Sequence, residues 1–457
     1  MNVVLLSTYD LGRQPFGLAS PAAWLRRAGA SVEAVDLSRQ KLPVDVVASA
    51  HVIAFYLPMH TATRLAVPVI DRVRAMNPAA TICAYGLYAS LNDELLRQHG
   101  VSIVLGPEAE EELVKVASER ATASALARSA SADKEAAALR TIPKLQFIQP
   151  DRAGLPPPDR YATLQMPDGS RKLVAATEAS RGCKHRCRHC PIVPVYDGQF
   201  RIVSVDVVMA DVRAQVEQGA THVSFGDPDF FNGPTHARKV VEALHREFPH
   251  LTYDAIIKVE HLLGNRRLLP VLVETGCLFV TSAVESVDDE VLAKLEKGHT
   301  RADFVAAAGE CRSAGLTLVP TFVTFTPWTS IDGYIDLLDV VEELGLVPHV
   351  APVQWSIRLL VTWRSRLLEL ADIRAGVGPF DAKTLTYPWK HRDPRVDALQ
   401  QQVMTLAANT TEPRESVFET ARGLAHAARG QAKTSRSSNL VLLSRSAIPY
   451  MNEPWYC

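Results

Sequence analysis

Three cysteines, Cys183, Cys187 and Cys190, occupy a stretch of eight residues with the spacing C-x-x-x-C-x-x-C. In a chain of 457 residues with seven cysteines, such clustering is typical of a metal site in a reducing compartment and does not indicate a disulfide scaffold. Three thiolates on one loop can bind three irons of a [4Fe–4S] cluster and leave the fourth iron open to a small molecule. The alternative is a structural zinc site with His185 or His189 as the fourth ligand.

The residues around the cysteines are basic. Lys184, Arg186 and Arg188 alternate with the thiols, and we expect their charges to keep the thiolates ionised.

Other polar residues close apolar, strand-like runs further along the chain. In a parallel barrel, the carboxyl ends of the strands meet at one face, and active sites are built there. Burying a carboxylate at such a strand end is costly unless it has a partner. Lys258 and Arg358 could equally be surface charges. The candidate positions are Gly226, Asp227, Lys258, Glu285, Ser286 and Arg358.

The elements that would position these residues form two α/β regions. In residues 1–118, five short apolar runs alternate with helical patterns, which predicts a small doubly wound parallel sheet. An Ala/Ser-rich stretch and a proline-rich stretch predict a linker over residues 119–170. The five runs are Val3–Ser7, Val32–Asp36, Val52–Tyr56, Thr81–Gly86 and Val101–Gly106.

Residues 171–365 contain six further strand-like runs separated by amphipathic helical patterns. This alternation predicts a partial (β/α)6 barrel, with the cysteine loop directly after its first strand. Residues 366–457 are predicted to form a helical and coil extension. The fold class is therefore α/β. The six runs are Leu173–Ala179, His222–Gly226, Leu251–Lys258, Leu278–Glu285, Leu316–Phe325 and Val347–Leu360.

The composition limits the possible partners. The net charge is −1, which removes the usual electrostatic argument for binding nucleic acid or an anionic membrane. The sequence shows neither the pattern of a signal peptide nor an apolar run long enough to span a bilayer. We therefore expect a cytoplasmic protein that binds no membrane, and we regard a nucleic-acid partner as disfavoured.

The cysteine motif after a first barrel strand resembles the signature of the radical S-adenosylmethionine (SAM) superfamily, over about Leu173 to Val361. The resemblance implies that SAM binds the open iron, takes up an electron from a donor such as flavodoxin or ferredoxin, and yields a 5′-deoxyadenosyl radical. It also implies that His189 occupies the position of an aromatic residue whose backbone meets the adenine.

The same resemblance implies roles for the strand ends. Gly226 and Asp227 look like the turn that binds the SAM ammonium, and Glu285 with Ser286 looks like the strand end that holds the ribose or the carboxylate. Lys258 or Arg358 would bind the methionyl carboxylate.

An α/β domain ahead of such a barrel resembles the cobalamin-binding arrangement. The Asp-x-His-x-x-Gly loop that supplies a histidine to cobalt is absent, because Tyr9-Asp10-Leu11-Gly12 has no histidine. Bound cobalamin and a degenerate domain that packs or binds substrate both stay open.

Over nearly the whole chain, the sequence resembles the radical SAM proteins named for a Cys-Sec-Ala-Glu-Pro or Cys-Cys-Ala-Glu-Pro tail. The tail Asn452-Glu-Pro-Trp-Tyr-Cys457 stops where the second tail residue would follow, so a selenocysteine codon read as a stop is one hypothesis. Cys457 would then be half of a thiol–selenol pair with a catalytic role; otherwise it is a terminal thiol without one. The resemblance rests on Arg181-Gly-Cys183, Asp227-Pro-Asp229-Phe230, Lys258-Val-Glu260-His261, Ser282-Ala-Val-Glu-Ser286, Lys297-Gly-His-Thr300, Phe325-Thr-Pro-Trp328 and Trp355-Ser-Ile-Arg358.

The sequence thus predicts a radical SAM enzyme that acts on an unidentified small molecule or peptide, by cobalamin-dependent radical methylation if cobalamin binds. The alternatives are an RNA-modifying enzyme of the same superfamily and a non-catalytic iron–sulfur or zinc redox sensor.

Overall fold

The computed structural model describes residues 1–121, 142–408, 412–430 and 446–453. Its first sheet has five parallel strands in the order β2-β1-β3-β4-β5. All five form at the runs predicted from the sequence, and β1 and β2 begin one residue earlier than predicted. The strands are β1 (Asn2–Ser7), β2 (Ser31–Asp36), β3 (Val52–Tyr56), β4 (Thr81–Tyr85) and β5 (Ile103–Val104).

This sheet is covered by helices on both faces. Val4 and Leu6 of β1 enter one hydrophobic cluster, while Val3 and Leu5 enter a second cluster on the opposite face. Such burial on both sides explains why the strands are continuous apolar runs. The helices are α1 (Phe16–Arg27), α2 (Val44–Ser49), α3 (His60–Met76), α4 (Leu87–Leu91), α5 (Asp93–Gln98) and α6 (Glu110–Ala121).

The second sheet is curled into a half-barrel with the order β13-β12-β11-β10-β7-β6-β14. The strands from β7 to β13 in this order are parallel, and β6 and β14 add an antiparallel edge that the sequence did not predict. A separate hairpin, β8 with β9, carries the start of the cysteine loop. The strands are β6 (Thr163–Gln165), β7 (Arg171–Thr177), β8 (Ser180–Gly182), β9 (Phe200–Ile202), β10 (His222–Phe225), β11 (Thr252–Ile256), β12 (Cys277–Glu285), β13 (Thr317–Phe322) and β14 (Tyr450–Met451).

Helices connect the parallel strands and cover the outside of the half-barrel. Helix α13 begins with a capping box, in which Thr300 accepts from the backbone N–H of Asp303 and the Asp303 carboxylate accepts from that of Thr300. The helices are α7 (Val193–Tyr196), α8 (Val205–Val216), α9 (Pro234–Glu247), α10 (Val259–Gly264), α11 (Leu269–Glu274), α12 (Asp289–Lys294), α13 (Arg301–Ser313) and α14 (Ile331–Glu343).

The sixth barrel strand predicted at Val347–Leu360 is not formed, which corrects the sequence interpretation. This stretch contains two 3₁₀ turns, Val347–His349 and Pro352–Trp355, and a single-residue bridge from Arg358 to Phe325. Pro348 and Pro352 have no N–H to donate to a ladder. The Gln354 side chain instead accepts from the backbone N–H of Phe322 at 2.8 Å, at the open edge of β13.

The α/β class with a helical C-terminal part is confirmed. The last helices are α15 (Ala371–Gly376), α16 (Pro394–Ala408) and α17 (Arg414–Ala428). Phe418 of α17 packs on Trp355 with ring centroids 5.4 Å apart. Much of the predicted Ala/Ser-rich linker, as well as Cys457, lies outside the described residues. None of the described helices combines the length and apolarity needed to cross a bilayer.

The connector before β6 is held by a buried arginine. Arg152 makes a bidentate ion pair with Asp211 of α8, at 2.8 and 2.9 Å, and donates to the carbonyl of Ala176 in β7. It also donates to the Gln14 side chain at 2.6 Å. One guanidinium therefore joins the N-terminal region, the connector and the half-barrel.

A second buried arginine joins the cysteine loop to the N-terminal sheet. Arg181 of β8 contacts Glu110 at 2.7 Å, Glu108 at 3.3 Å and Glu178 at 2.8 Å. It also donates to the hydroxyl of Ser20 at 3.2 Å. The cysteine loop, which starts directly after this strand, is thereby fixed in place relative to both sheets.

We expect Gly182→Ala to destabilise the fold by more than about 2 kcal/mol, because a left-handed backbone and a steric overlap add together. Gly182 has φ +76°, and a Cβ there would lie 2.5 Å from the carbonyl oxygen of Gln199 and closer still to the Tyr196 ring. Gly264→Ala is the control, because no heavy atom lies within 4 Å of its added Cβ. Chemical denaturation measures both, and equal midpoints would contradict the prediction.

Candidate functional site

The three cysteines lie on the loop that follows β7 and β8, at the carboxyl end of the first parallel strand of the half-barrel. Cys187 is buried, and Cys183 and Cys190 are partly exposed. The loop is held by its backbone: the N–H of Arg188 donates to the carbonyl of Leu295 at 2.8 Å, and that of Lys184 donates to Asn232 at 3.2 Å.

Burial raises the pKa of the Cys183 thiol to about 11 and that of Cys190 to about 12. Lys258 lowers the pKa of Cys183, and Lys297 lowers that of Cys190. These lysines come from much later strand ends and act against the effect of burial. A positive metal centre would be needed to ionise these thiols fully at neutral pH.

The basic residues inside the motif do not have the predicted role. Lys184 and Arg186 are exposed, and Arg186 contacts Asp197 at 3.2 Å. Arg188 pairs with Glu296 and Glu369. Their long side chains reach solvent or acidic partners, so the cations that act on the thiols are contributed by other elements.

The described residues do not assemble the zinc alternative. Within the described residues, the cysteines do not form a set of three ligand atoms that all lie within 4.8 Å of one another. Sulfur atoms that bind one tetrahedral zinc at 2.3 Å are separated by about 3.8 Å. The two candidate fourth ligands are also engaged elsewhere, since His189 contacts Glu285 at 3.1 Å and His185 contacts His261 at 3.1 Å.

Glu285 is a buried carboxylate with two cationic or polar partners. Its Oε1 lies 3.1 Å from His189 Nε2 and 3.4 Å from Lys297 Nζ. Burial alone would raise the pKa of Glu285, but Lys297 and His189 together lower it to about 2. The backbone of Glu285 has φ +69° at a register shift in β12, which turns the strand end into the barrel mouth.

Asp227 is fully buried and positions the cysteine loop. Its two carboxylate oxygens accept from the backbone N–H of Ala179 at 2.9 Å and from the Ser180 hydroxyl at 2.6 Å. Burial raises its pKa to about 7. Gly226 beside it is exposed and has an accessible backbone. The predicted contact of this turn with SAM therefore depends on the Gly226 backbone, and it stays a prediction.

The remaining predicted residues divide into two groups. Lys258 and Ser286 are buried near the cysteine loop; Lys258 contacts Glu260 at 3.2 Å, and the Ser286 hydroxyl accepts from the backbone N–H of Asp288 at 3.1 Å. Arg358 is instead held by the C-terminal part, with Asp397 at 2.8 Å and its guanidinium 3.4 Å above the Trp389 ring. This pairing accounts for the charge of Arg358 without a bound ligand.

The structure brings one further group to the same face that sequence reasoning did not assign. His185 of the cysteine loop, Asp229 after β10 and His261 of α10 have ligand atoms that all lie within 4.8 Å of one another. Lys297 likewise had no role predicted from the sequence beyond its place in a family resemblance. The signal was available, because these residues follow the carboxyl ends of the cysteine-bearing strand, β10, β11 and β12.

The comparison with known families agrees with this geometry. Residues 177–338 match the family model described as the Radical SAM superfamily. The matched segment, about a third of the chain, is thus similar to radical SAM domains. The superfamily uses a [4Fe–4S] cluster and SAM. The match begins at the end of β7 and ends within α14, so it covers the cysteine loop and the strand ends described above.

Two curated relatives are similar over part of the chain. The hopanoid C-3 methylase of Methylococcus capsulatus is 27% identical over 160 residues, which are 35% of this chain and 30% of the relative. The tRNA-2-methylthio-N(6)-dimethylallyladenosine synthase of Fusobacterium nucleatum is 24% identical over 190 residues, which are 38% of this chain and 41% of the relative. The chain thus spans less than half the length of these relatives.

Two solved structures share the fold over most of the chain. The cobalamin-dependent radical SAM enzyme OxsB, with aqua-cobalamin and SAM bound, has a TM-score of 0.65 at 14% identity and covers 93% of this chain and 71% of its own. The radical SAM methyltransferase TsrM from Kitasatospora setae has a TM-score of 0.62 at 16% identity and covers 82% and 77%.

We expect Lys297→Met to cost about 3–5 kcal/mol of folding free energy, because Glu285 would stay buried without its cation. The matched control is Lys294→Met, shortly before it in the chain, whose ion pair with Asp372 is about 36–46% exposed and is worth about 0–1 kcal/mol. Denaturation of the two cluster-free variants in parallel checks this. Equal losses of unfolding free energy in the two variants would show that the buried Glu285–Lys297 pair stabilises the fold no more than the exposed pair does.

Proposed function

We propose that Cys183, Cys187 and Cys190 hold a [4Fe–4S] cluster and that the chain cleaves SAM reductively to produce a 5′-deoxyadenosyl radical, which acts on an unidentified small molecule or peptide. The observation that carries the proposal is the cysteine loop itself. It lies at the carboxyl end of a parallel half-barrel, beside Lys258 and Lys297, whose charges lower the pKa values of Cys183 and Cys190. When bound, the cluster supplies the electron that cleaves the sulfonium.

The protein residues would orient the cofactor and exclude water. Gly226 presents an exposed backbone at the end of β10, suited to a ligand ammonium. The Glu285 carboxylate is kept ionised by Lys297 and is available to accept from hydroxyl groups such as those of a ribose. Lys258 supports binding of a ligand carboxylate, because it is buried and its ion pair is with the half-exposed Glu260. These roles rest on position and charge.

Cobalamin-dependent methylation is favoured by the fold neighbours that bind cobalamin. The cavity between the two sheets has a volume of about 230 Å³ and is lined in part by Tyr56, Tyr85, Glu178 and Arg181. Drug-sized ligands occupy about 300–1,000 Å³, and cobalamin is larger still. Cobalamin would therefore enter only if the side chains along this partly open cavity moved apart, and no step of the proposed function depends on it.

Of the two alternative functions, an RNA substrate remains a candidate, whereas a purely sensory role has no support. The curated relatives that modify tRNA keep an RNA substrate as a second candidate, so the prediction of no nucleic-acid partner is not confirmed. A purely sensory iron–sulfur or zinc protein is not supported, because the family match and the methylase and synthase relatives indicate an enzyme.

The predicted role of Cys457 and of a selenocysteine tail stays a prediction. Cys457 lies outside the described residues. Just before it, Asn452 pairs with Thr163, and the Glu453 carboxylate lies 3.3 Å from Arg39. The C-terminal segment therefore approaches the junction between the two sheets. The nucleotide sequence after the Cys457 codon tests the hypothesis: a TGA codon followed by in-frame Ala-Glu-Pro codons would support it.

We expect anaerobically reconstituted protein to hold about four irons per chain and, with reductant and SAM, to release 5′-deoxyadenosine. Cys183→Ala should lower that release at least about 100-fold, because one iron loses its ligand. Cys311→Ala is the control, since Cys311 is buried in α13 away from the loop. An intact iron content without 5′-deoxyadenosine would contradict the proposed function.

We expect protein produced with cobalamin supplied to contain about one cobalt per chain, because fold neighbours of this chain bind cobalamin. Cobalt is measured by mass spectrometry after gel filtration, with iron from the same sample as the reference for occupied protein. Iron-loaded protein without cobalt would overturn this expectation and show that the cavity between the two sheets does not open for a corrin.

A further inference from the structure

One polar cluster near the cysteine loop is not used by the proposed SAM chemistry. It consists of His185 in the loop, Asp229 after β10 and His261 in α10. Asp229 and His261 are almost fully buried, with 2% and 7% of their side chains exposed, and 14% of the His185 side chain is exposed. Three elements far apart in sequence therefore converge on one small polar volume inside the barrel mouth.

The three residues each offer one ligand atom, and these atoms lie close enough together to surround one ion. His185 Nε2 lies 3.1 Å from His261 Nε2 and 3.6 Å from Asp229 Oδ2. Nitrogen and oxygen ligands about 2.0–2.1 Å from a tetrahedral Zn²⁺ are about 3.3–3.4 Å apart. The other nitrogen of His261, Nδ1, lies 2.6 Å from Asp229 Oδ2, so this ring can offer Nε2 to an ion while Nδ1 pairs with the carboxylate.

The Asp229 carboxylate is held by hydrogen bonds to one of its oxygens, which leaves the other oxygen, Oδ2, facing the two histidines. Asp229 Oδ1 accepts from the backbone N–H groups of Phe231 at 3.2 Å and Lys258 at 3.4 Å. Asp229 Oδ2 and His261 Nδ1 are buried and lie 2.6 Å apart as an ion pair, and neither makes a further hydrogen bond. Buried polar atoms without a hydrogen bond are costly. Asp229 Oδ2 has two lone pairs, so it can bind an ion and keep its contact with His261 Nδ1.

The Glu260 carboxylate lies near the second ring nitrogen of His185. Glu260 Oε2 lies 3.6 Å from His185 Nδ1 and 3.2 Å from Lys258 Nζ. Metal-binding histidines typically have a carboxylate on the second ring nitrogen. The pairing of Lys258 with Glu260 also offsets the nearest positive charge, which would otherwise oppose a cation at this site.

We propose that His185, Asp229 and His261 bind one divalent transition-metal ion of the Zn²⁺ type. Two imidazoles and one carboxylate are the ligand set of many catalytic zinc sites, and they leave at least one coordination position for a small anionic or sulfur ligand. Because His185 belongs to the cysteine loop, the ion would also tie that loop to β10 and α10. The site uses none of the three cysteines and does not depend on the proposed cluster.

The test separates this site from the cysteines. The full-length variant Cys183→Ala/Cys187→Ala/Cys190→Ala cannot form the cluster or a cysteine zinc site. We expect it to bind one Zn²⁺ per chain, measured by chelator competition and elemental analysis. With Co²⁺ as the probe, the spectrum should show nitrogen and oxygen coordination without sulfur-to-cobalt charge-transfer bands. Adding Asp229→Asn or His261→Gln should weaken Zn²⁺ binding at least about 10-fold.

The matched control is His222→Gln in the same background. His222 is also buried and pairs with a buried aspartate, Asp254, at 3.0 Å, but its other ring nitrogen is taken by Thr252. This variant should keep the Zn²⁺. Failure to bind one Zn²⁺ in the cysteine-free background, or equal weakening by the control, would overturn the proposal.

Reconstituted wild-type protein gives a second, independent readout, which also covers the case of a misfolded variant. It should contain one zinc in addition to its iron, and Asp229→Asn should lose the zinc while keeping the iron. Zinc that is absent from iron-loaded protein would overturn this site and leave the proposed function intact. Absent iron would contradict the proposed function and leave the zinc result unaffected.

Discussion

The architecture depends on one buried guanidinium, that of Arg181, which is shared by three carboxylates. Glu108 and Glu110 come from the end of the N-terminal sheet and the start of α6, whereas Glu178 comes from the half-barrel. Burial raises the pKa of Glu108 and Glu178, and the arginine opposes that rise. Breaking a buried ion pair by removing one partner costs far more than the pair contributes on its own. The two sheets are therefore fixed in relative position directly next to Cys183.

The same principle organises the barrel mouth. Glu285 is held by Lys297 and His189, and Asp227 is held by the backbone of Ala179 and the hydroxyl of Ser180. Each of these buried carboxylates connects the cysteine loop, or a strand end next to it, to a different element. The loop is thus positioned by polar contacts on several sides. Preorganisation of this kind suits a site that must align a reactive species with a substrate and keep water out.

Much of the fold could be predicted from the sequence, because strands that are buried on both faces are continuous apolar runs. The prediction of a strand at Val347–Leu360 was wrong, because Pro348 and Pro352 have no backbone N–H to donate to a neighbouring strand. The site was less predictable. The sequence suggested that the lysine and arginines inside the cysteine motif lower the pKa values of the thiols. In the structure, Lys258 lowers the pKa of Cys183 and Lys297 lowers that of Cys190. Side chains that meet only in the folded chain leave no local signal.

The antiparallel edge of the half-barrel affects how the chain can fold while it is being synthesised. Tyr450 and Met451 of β14 pair with Gln165 and Leu164 of β6, which leave the ribosome far earlier. Until β14 is synthesised, β6 is an exposed sheet edge with unpaired backbone groups. Such long-range pairing is slow to form. The nascent chain therefore has an unpaired strand edge, able to pair with other chains, through most of its elongation. We expect chaperones that cover such edges to act mainly at β6.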